Sequence, residues 1–508
     1  LIPLVTSSRE NCLGAQCPKF RSCHVNLARR DALAADVVVI NHHLFFADLA
    51  VRESGMAELL PTVKTVIFDE AHQLNETGVQ FLGTQLTTGQ LLDFARDTLS
   101  GGLQFARGLK DWQQIAGQIE RASRDLRLAV GKTYPGAKLR WTAHAPEQVD
   151  GVVWDEALDT LHQAMNAAAD SLGAVGEVSP DMVRLHERAL ALAGLIETFS
   201  GGCKVGSVRW MDVGNQLRLV ESPLDIAETV KTRLLGSSDE AGSNRSWIFT
   251  SATLGDDPSL RWFTEPCGLE SAEILKVGSP FDYAAQAAVY VPRQLPKPND
   301  PAHTTQVAQF VASHAPLIQG RTLVLTTTLR ALRGISETLQ QQFAGSSVLE
   351  VLVQGQRPKR ELMERFRKGD VDGQPGCILV ASASFWEGVD VPGDALQMVV
   401  IDKLPFPPPN DPLVEARANR LEQAGRSSFS DYFLPEAAVA LKQGAGRLIR
   451  RESDTGILVL CDTRLVSMGY GRRLMTALPP MRRLDSEANF LQALKGLTRT
   501  STTDPSWT

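Results

Sequence analysis

Short apolar runs separated by segments of helical spacing dominate the two ends of this chain. Near the start, β-branched residues fill Asp36–Ile40 and Val63–Phe68, and a further apolar run lies at Ser246–Leu254. Such runs, bounded by polar turns, are typical of buried strands in a parallel sheet. We predict that the run at Ser246 lies beside the strand ending at Phe68. Functional residues are then expected at the carboxyl ends of these strands.

A second α/β series follows a Pro-rich connector at Pro292–Pro301. Its helical spacing predicts helices at Leu329–Phe343 and Lys359–Lys368, among others. Its apolar runs predict strands at Arg321–Leu325, Ser347–Val353, Cys377–Ala381, Met398–Ile401 and Gly456–Leu460. The two series together predict an α/β protein with two parallel-sheet lobes.

The middle of the chain has a different pattern, with apolar residues at helical spacing and few strand candidates. We predict an all-helical domain over 85–205, inserted in a first lobe of 36–84 and 206–275. A second lobe covers 276–497. The N-terminal segment 1–35 carries a basic helix at Val25–Ala35, and the Ser/Thr-rich tail 498–508 is expected to be disordered. The inserted helices are predicted at Leu91–Leu99, Leu109–Val130, Trp154–Leu172 and Pro180–Phe199.

Composition narrows the class of protein. With 508 residues, the chain is expected to hold two to four domains. No run of about 18 apolar residues occurs, so we expect no membrane span. The net charge of −6 argues against a protein that coats nucleic acid with its whole surface, although residues 1–30 carry a local positive excess. Sparse cysteines indicate a reducing cytoplasm.

Two adjacent carboxylates follow the strand that ends at Phe68. Such a pair can hold Mg²⁺ and activate water for phosphoryl transfer. We assign Asp69 to Mg²⁺, through water, and Glu70 to the attacking water. His72 is predicted to hydrogen-bond towards Ser251-Ala252-Thr253. The alternative is a strand end with solvated acids.

Two further segments follow predicted strands. Ser251 and Thr253 can bridge to the acidic turn, or can simply form a Ser/Thr turn. Ser384–Gly393 follows the strand ending at Ala381. Its glycine permits close approach of a nucleotide and its acids suit ribose hydroxyls; the alternative is a structural loop around a buried Trp386. The candidate nucleotide contacts in this segment are Glu387, Gly388 and Asp390.

Gln443–Arg450 is the strongest motif of the second lobe. We predict a short helix in which Gly444 and Gly446 permit close packing. Arg447 and Arg450 then share one face and can neutralise the γ-phosphate of ATP as planar bidentate donors. The alternative is a surface arginine pair. With the acidic turn, this motif favours a nucleotide-driven motor.

Three cysteines lie close together near the N-terminus. The spacing of Cys12, Cys17 and Cys23 differs from the paired CxxC of most zinc ribbons. It suits an iron–sulfur site with a fourth ligand elsewhere. The alternatives are a zinc site completed by His24, and unliganded cysteines. We expect the other cysteines to be buried small apolar residues: Cys203, Cys267, Cys377 and Cys461.

A phosphate-binding Walker A loop is absent from the sequence. The nearest match, Gly131-Lys132-Thr133, has Leu126 where a second glycine is required.

The order of these motifs resembles the iron–sulfur superfamily 2 DNA helicases, within them the DinG-like branch and most closely its YoaA-type members. The resemblance covers about 10 to 485. The motifs that carry it are Cys12/Cys17/Cys23, Asn41-His-His, Asp69-Glu-Ala-His72, Ser251-Ala-Thr253, Ser279-Pro-Phe-Asp282, Ser384–Gly393, Ile401-Asp-Lys-Leu-Pro-Phe406 and Gln443–Arg450.

The resemblance implies two RecA-like lobes, an iron–sulfur segment and a helical arch. It also implies ATP-driven 5′→3′ unwinding, with single-stranded and forked or duplex DNA as partners, in DNA repair with other repair or replication proteins. A monomer is expected. The implied nucleotide residues are Asp69, Glu70, Gln443, Arg447 and Arg450.

For the cluster, the resemblance implies that Cys12, Cys17 and Cys23 are the last three ligands of a 4Fe–4S centre. Its first ligand and the Walker A loop of the family lie upstream of Leu1, so the sequence is expected to be N-terminally truncated and to hydrolyse ATP poorly alone.

The expected mechanism has ATP bound between the lobes and DNA held along both. Arg21, Arg29 and Arg30 are candidates for DNA phosphates. Phe45, Phe46 and Phe406 are weak candidates for base stacking. Two rival hypotheses are a non-catalytic nucleic-acid-binding remnant of a motor, and an RNA helicase of the same superfamily.

Overall fold

The computed structural model describes residues 12, 14–53, 60–61, 63–134, 136–236, 245–370, 373–382, 385, 391 and 393–500, without the side chains of 16, 50–53 and 498–500. These residues form two compact units. The first holds the chain up to Ser251 together with Glu265–Leu269 and Pro409–Arg420. The second holds Ala252–Thr264, Glu270–Pro408 and the chain from Leu421 onwards.

Strands and helices alternate through most of the chain. The strands are β1 (Thr65–Phe68), β2 (Thr84–Thr87), β3 (Ala137–Arg140), β4 (Ser207–Val213), β5 (Leu217–Pro223), β6 (Ser246–Phe249), β7 (Ala287–Tyr290), β8 (Thr322–Leu325), β9 (Leu349–Val353), β10 (Gly376–Ala381), β11 (Met398–Ile401), β12 (Gly456–Leu460) and β13 (Arg482–Leu484). The α-helices are α1 (His24–Ala34), α2 (His42–Glu53), α3 (Leu74–Leu82), α4 (Thr88–Phe105), α5 (Trp112–Ala129), α6 (Gly151–Gly173), α7 (Pro180–Ser200), α8 (Ala227–Thr229), α9 (Arg261–Thr264), α10 (Tyr283–Gln286), α11 (His303–His314), α12 (Leu329–Gln342), α13 (Lys359–Lys368), α14 (Pro412–Gln423), α15 (Leu434–Ala445), α16 (Arg464–Ser467), α17 (Gly471–Ala477) and α18 (Glu487–Thr500).

The first unit contains a parallel pair of strands, β1 and β6, which confirms the prediction that the two are neighbours. Phe68 of β1 and Phe249 of β6 are directly paired, and their rings stack at 5.4 Å. The strand predicted at Asp36–Ile40 is wrong, because this segment is a bend followed by extended coil. It pairs with no described strand, and Val39 is 91% exposed. A β-branched run without a pairing partner has no ladder to stabilise it.

The middle of the first unit combines the four predicted helices, α4 to α7, with an antiparallel sheet in the order β2-β5-β4-β3. The expectation of an all-helical domain is therefore wrong. Alternate apolar residues on one face of this sheet pack against the helices: Leu86, Leu139, Met211, Val213, Leu217 and Leu219 join the same core as Trp154 and Phe199. The apolar run Leu217–Val220 lies in the range 206–275 that we assigned to the first lobe, but it belongs to this sheet.

The second unit is built on a parallel sheet in the order β13-β7-β12-β11-β8-β10-β9. Successive residues of each strand point to opposite faces, and both faces are buried here. Leu323 and Leu325 enter one core and Val324 enters the other. Helices on both sides cover these faces, which explains why the predicted strands read as continuous apolar runs. Sequence analysis missed β7 and β13 at one side of the sheet.

Two smaller expectations are also corrected. Cys203 is exposed in the turn between α7 and β4, whereas Cys267, Cys377 and Cys461 are buried as predicted. The helix α18 continues through Thr500, so the start of the tail predicted as disordered is helical; 501–508 lie outside the described residues. Among the described residues, no helix is long and apolar enough to cross a membrane.

Candidate active site

The acidic turn is held in place by the strand beside it. Asp69 and Glu70 follow β1 directly, and both are exposed. The backbone N–H of Ala71 donates to the carbonyl of Thr250 at 2.9 Å, and Thr250 N–H donates to Phe68 O at 2.8 Å. Glu70 has a φ of 49°, a left-handed conformation that a non-glycine residue adopts rarely. The two carboxylates are therefore displayed on a constrained turn.

Asp69 has two further partners outside the turn. The Thr250 hydroxyl donates to Asp69 Oδ1 at 3.0 Å. His42 Nε2 donates to the Asp69 carbonyl at 3.0 Å. Burial lowers the pKa of His42, as do the neighbouring His43 and His72, although the bond to Asp69 opposes them. A neutral imidazole keeps the Nε2 proton that this bond requires.

His72 connects Glu70 to the predicted hydroxyl motif. Its Nδ1 lies 2.9 Å from Ser251 Oγ and 3.3 Å from Glu70 Oε2. The Ser251 hydroxyl also reaches Glu70 Oε2 at 3.4 Å. The hydrogen bond that the sequence predicts from His72 to this motif is present. Glu70 is thus oriented beside an imidazole and a hydroxyl, an arrangement suited to polarising a water molecule.

Thr253 is the other residue predicted in this motif. It is buried and falls in the second unit, whereas Ser251 closes the first. The unit boundary passes through the predicted motif.

The predicted arginines do not lie on a helix. Gln443 is in the last turn of α15, which ends at Ala445, and the chain then forms a turn. Arg447 lies in that turn and Arg450 in the coil that follows it, and both are partly exposed. The helical prediction failed because it extended the spacing beyond Gly446, the C-cap residue. Buried Leu448 and Ile449 anchor the turn in the core instead.

One buried carboxylate organises this turn. Asp454 Oδ2 accepts from the backbone N–H groups of Arg450 and Arg451, both at 2.8 Å. Its Oδ1 accepts from Gly393 N–H at 3.1 Å. Asp454 therefore joins the arginine segment to the end of the predicted nucleotide loop. Ser384, Trp386, Glu387, Gly388 and Asp390 of that loop lie outside the described residues.

Sequence analysis missed three supporting residues: His42, Thr250 and Asp454. His42 belongs to the Asn41-His-His motif, and Thr250 immediately precedes Ser251, so adjacency to a motif pointed to both. Nothing local distinguishes Asp454 from other loop acids.

The residues predicted to bind metals carry donor atoms of the expected kinds. Asp69 is an exposed carboxylate, an oxygen donor of the kind that Mg²⁺ prefers. Cys12, Cys17 and Cys23 are free thiols, with Cys12 exposed and the other two partly exposed. These donors fit an iron–sulfur cluster in chemical type. Within the described part of the chain, no three His, Cys, Asp or Glu side chains are grouped as metal ligands.

The aromatic candidates for base stacking are not equivalent. Phe46 is completely buried, so this candidate is wrong. Phe45 is partly buried and packs edge-on against Phe68 at 4.9 Å. Phe406 is partly exposed and lies 5.9 Å from Phe429. Arg21, Arg29 and Arg30 are exposed on or beside α1.

The second unit contains a segment that matches a known protein family. Residues 311–481 match the family of the helicase C-terminal domain. Across most of its length the chain is similar to the ATP-dependent DNA helicase YoaA of Escherichia coli, with 39% identity over 483 residues that cover 94% of this chain and 72% of the relative. It is 37% identical to YoaA of Haemophilus influenzae, with 97% of this chain and 74% of the relative aligned.

More distant relatives and solved structures agree with this result. The chain is 30% identical to the ATP-dependent helicase DinG of Mycobacterium tuberculosis, over 97% of this chain and 71% of the relative. An XPD helicase structure matches with a TM-score of 0.52 at 16% identity, covering 90% of this chain and 74% of that one. Xpd4 of S. tokodaii matches with a TM-score of 0.50 at 13% identity, covering 87% and 81%. At this identity the structures show a shared fold.

Proposed function

This chain belongs to the DinG/XPD-like family of superfamily 2 DNA helicases, beside the YoaA proteins, and we propose that Glu70 and Arg447 are central to its ATP hydrolysis. It is an ATP-dependent DNA helicase, as its relatives are named. Movement in the 5′→3′ direction, action on forked or duplex DNA and a role in DNA repair are proposals drawn from the family.

The observation that carries the catalytic proposal is the contact of Glu70 with His72 and Ser251. Glu70 Oε2 lies 3.3 Å from His72 Nδ1 and 3.4 Å from Ser251 Oγ. These contacts hold one carboxylate oxygen and leave the other to orient the attacking water.

We assign the phosphate-binding role to Arg447 and Arg450. Planar guanidinium groups donate two hydrogen bonds to phosphate oxygens and stabilise the charge that develops during phosphoryl transfer. Asp454 fixes the backbone of Arg450 at 2.8 Å, so the turn is preorganised. Gln443, one helical turn earlier, contacts the nucleotide in this proposal, as do Thr253, Glu387, Gly388 and Asp390.

Two inorganic groups belong to the proposal. Mg²⁺ held through Asp69 would supply positive charge beside the phosphate oxygens. A 4Fe–4S cluster held by Cys12, Cys17 and Cys23, with a further ligand, would cross-link the N-terminal segment.

The test is ATP hydrolysis by the full-length gene product, with and without single-stranded DNA. We expect DNA-stimulated turnover that Glu70→Gln reduces by about a hundredfold or more, in line with the loss of a general base. Glu177→Gln, which changes an exposed glutamate beside α7, is the matched control. Equal turnover in the two variants would overturn the role of Glu70. DNA binding without any turnover would support the non-catalytic remnant instead.

A further inference from the structure

A short segment of the second half of the chain is held by the first unit. Pro409–Arg420 falls in the first unit, whereas the residues on both sides of it fall in the second. This segment contains most of α14. It follows a stretch with prolines at 405, 407, 408 and 409. Proline fixes φ near −65°, so this stretch has few accessible conformations, and we expect displacement at one end to reach the other.

The acidic half of the segment contacts basic residues of β3. Asp411 pairs with Lys138 at 2.6 Å, and Glu415 pairs with Arg140 at 2.7 Å. Residues four apart share a helix face, and residues two apart share a strand face. The acidic face of the segment is therefore complementary in charge and spacing to the basic face of β3.

The basic half contacts acids elsewhere in the first unit. Arg417 pairs with Glu76 at 2.6 Å and donates from Nε to the carbonyl of Leu224 at 2.8 Å. Arg420 pairs with Asp225 at 2.6 Å. Because the acids precede the bases along the segment, a shift along its axis would bring like charges together. The charge pattern fixes the register.

Arg417 contacts α3, the helix that follows the acidic turn in the chain. Glu76 lies in the first turn of α3, which begins at Leu74, two residues after His72. Leu74 and Val79 are buried, so α3 is firmly packed. The Arg417 side chain is 9% exposed and that of Glu76 is 50% exposed, so solvent reaches the pair from the Glu76 side only.

We propose that Arg417 is a positioning residue that couples ATP hydrolysis to strand separation. In this proposal, displacement of the residues that precede the Pro-rich stretch moves that stretch and α14. The Arg417–Glu76 ion pair passes this movement to α3 and to the acidic turn. The proposal rests on the helicase function above. Loss of this link leaves the hydrolytic residues in place and reduces the base pairs opened per ATP consumed.

The experiment compares unwinding and ATP hydrolysis in the full-length protein. Arg417→Gln should lower the base pairs unwound per ATP by about five- to tenfold, the size of a typical coupling free energy, with single-strand-stimulated ATP turnover within about twofold of wild type. Glu76→Gln should act in the same direction. The double variant should lose no more than Arg417→Gln alone, because both changes break one link.

Arg188→Gln is the matched control. Arg188 pairs with Asp97 at 2.6 Å with exposures of 12% and 47%, close to the 9% and 50% of Arg417 and Glu76, but it lies on α7. Equal loss of unwinding per ATP in this control would overturn the proposal, as would a proportional fall of both activities in Arg417→Gln. If Arg417→Gln misfolds, the change Arg140→Gln at a partly exposed position is decisive: unchanged unwinding per ATP would sink the idea. Absence of hydrolysis in wild type would instead refute the proposed function.

Discussion

The hydroxyl of Thr250 donates to Oδ1 of Asp69 at 3.0 Å, although the two residues are 181 positions apart in sequence. This bond joins the ends of the parallel strands β1 and β6 at the point where each enters its motif. It fixes one oxygen of the candidate Mg²⁺ ligand and places the following Ser251 within reach of His72. The geometry of the acidic turn therefore depends on a neighbouring strand.

Replacing Thr250 by Val removes this donor and keeps the shape of the side chain. Since a hydrogen bond to a charged group contributes about 1.5–3 kcal/mol, we expect kcat for ATP to fall about tenfold. The Mg²⁺ concentration for half-maximal activity should rise. Steady-state ATP hydrolysis across a Mg²⁺ titration measures both. Thr476→Val, on the exposed face of α17, should change neither, and identical Mg²⁺ curves for the two variants would contradict the assignment.

A buried ion pair between β4 and β5 should be important for the stability of the part of the first unit that contains α4 to α7. Arg209 Nε and Glu221 Oε2 are 2.6 Å apart, with exposures of 3% and 2%. The same guanidinium donates to the carbonyls of Thr198 and Gly201 at the end of α7, each at 2.6 Å. Removing one partner of a buried pair costs about 3 kcal/mol or more.

Arg209→Met is therefore expected to lower the urea midpoint for this region. Tryptophan fluorescence reports the change, because the guanidinium lies 5.6 Å from the Trp141 ring. The exposed pair of Arg124 with Glu120 provides the comparison, and Arg124→Met should shift the midpoint little. Similar shifts in the two variants would show that burial is irrelevant here.

Asp402 gives the second unit a pH dependence. Burial raises its pKa to about 6 from its usual 3.8, against the opposing effects of Lys403 and the N–H of Thr327. A raised folded pKa means that the folded state binds the proton more tightly. The resulting stability is fully present below pH 3.8 and is lost as pH rises through about 6.

Between pH ~7.5 and pH ~5, wild type should gain about 1 kcal/mol relative to Asp402→Asn, which does not titrate. Urea unfolding at both pH values measures the difference. Asp394→Asn, at an exposed carboxylate of the same unit, should show no such change. A wild-type advantage that stays constant with pH would refute the prediction.

The assignment of Cys12, Cys17 and Cys23 as cluster ligands predicts the iron and sulfide content of the protein. Cys17→Ser in the full-length protein, purified without oxygen, should lose most of its iron and acid-labile sulfide because thiolates hold the cluster. Cys203→Ser, at an exposed cysteine outside the trio, should keep both. Stoichiometric zinc without iron in wild type would favour the zinc alternative.

The sequence predicted strands β8 to β12 of the second unit and the order of the motifs. Strands β8, β10, β11 and β12 are buried along their whole length, so their apolar runs are continuous and visible in any window of the sequence. Carboxylates at the end of β1 and hydroxyls after β6 were placed correctly because parallel strands present their carboxyl ends at one edge. These features depend on local composition and on one general rule of topology.

Pairing and packing changed other expectations. Val37 and Val39 have the composition of a strand but no partner in the described structure. Leu217–Val220 is a strand, but its apolar face packs on the inserted helices. Arg447 and Arg450 follow a helix that ends at Ala445. In each case the deciding contact lies outside the local window.

Which charged side chains meet depends on how the folded chain packs. Arg417 and Glu76 are 341 positions apart, and neither side chain carries information about its partner, because any arginine can pair with any carboxylate. The choice is made when packing of the apolar core brings two surfaces together. The sequence thus fixes which residues can do the chemistry, and the fold fixes which residues hold them in place.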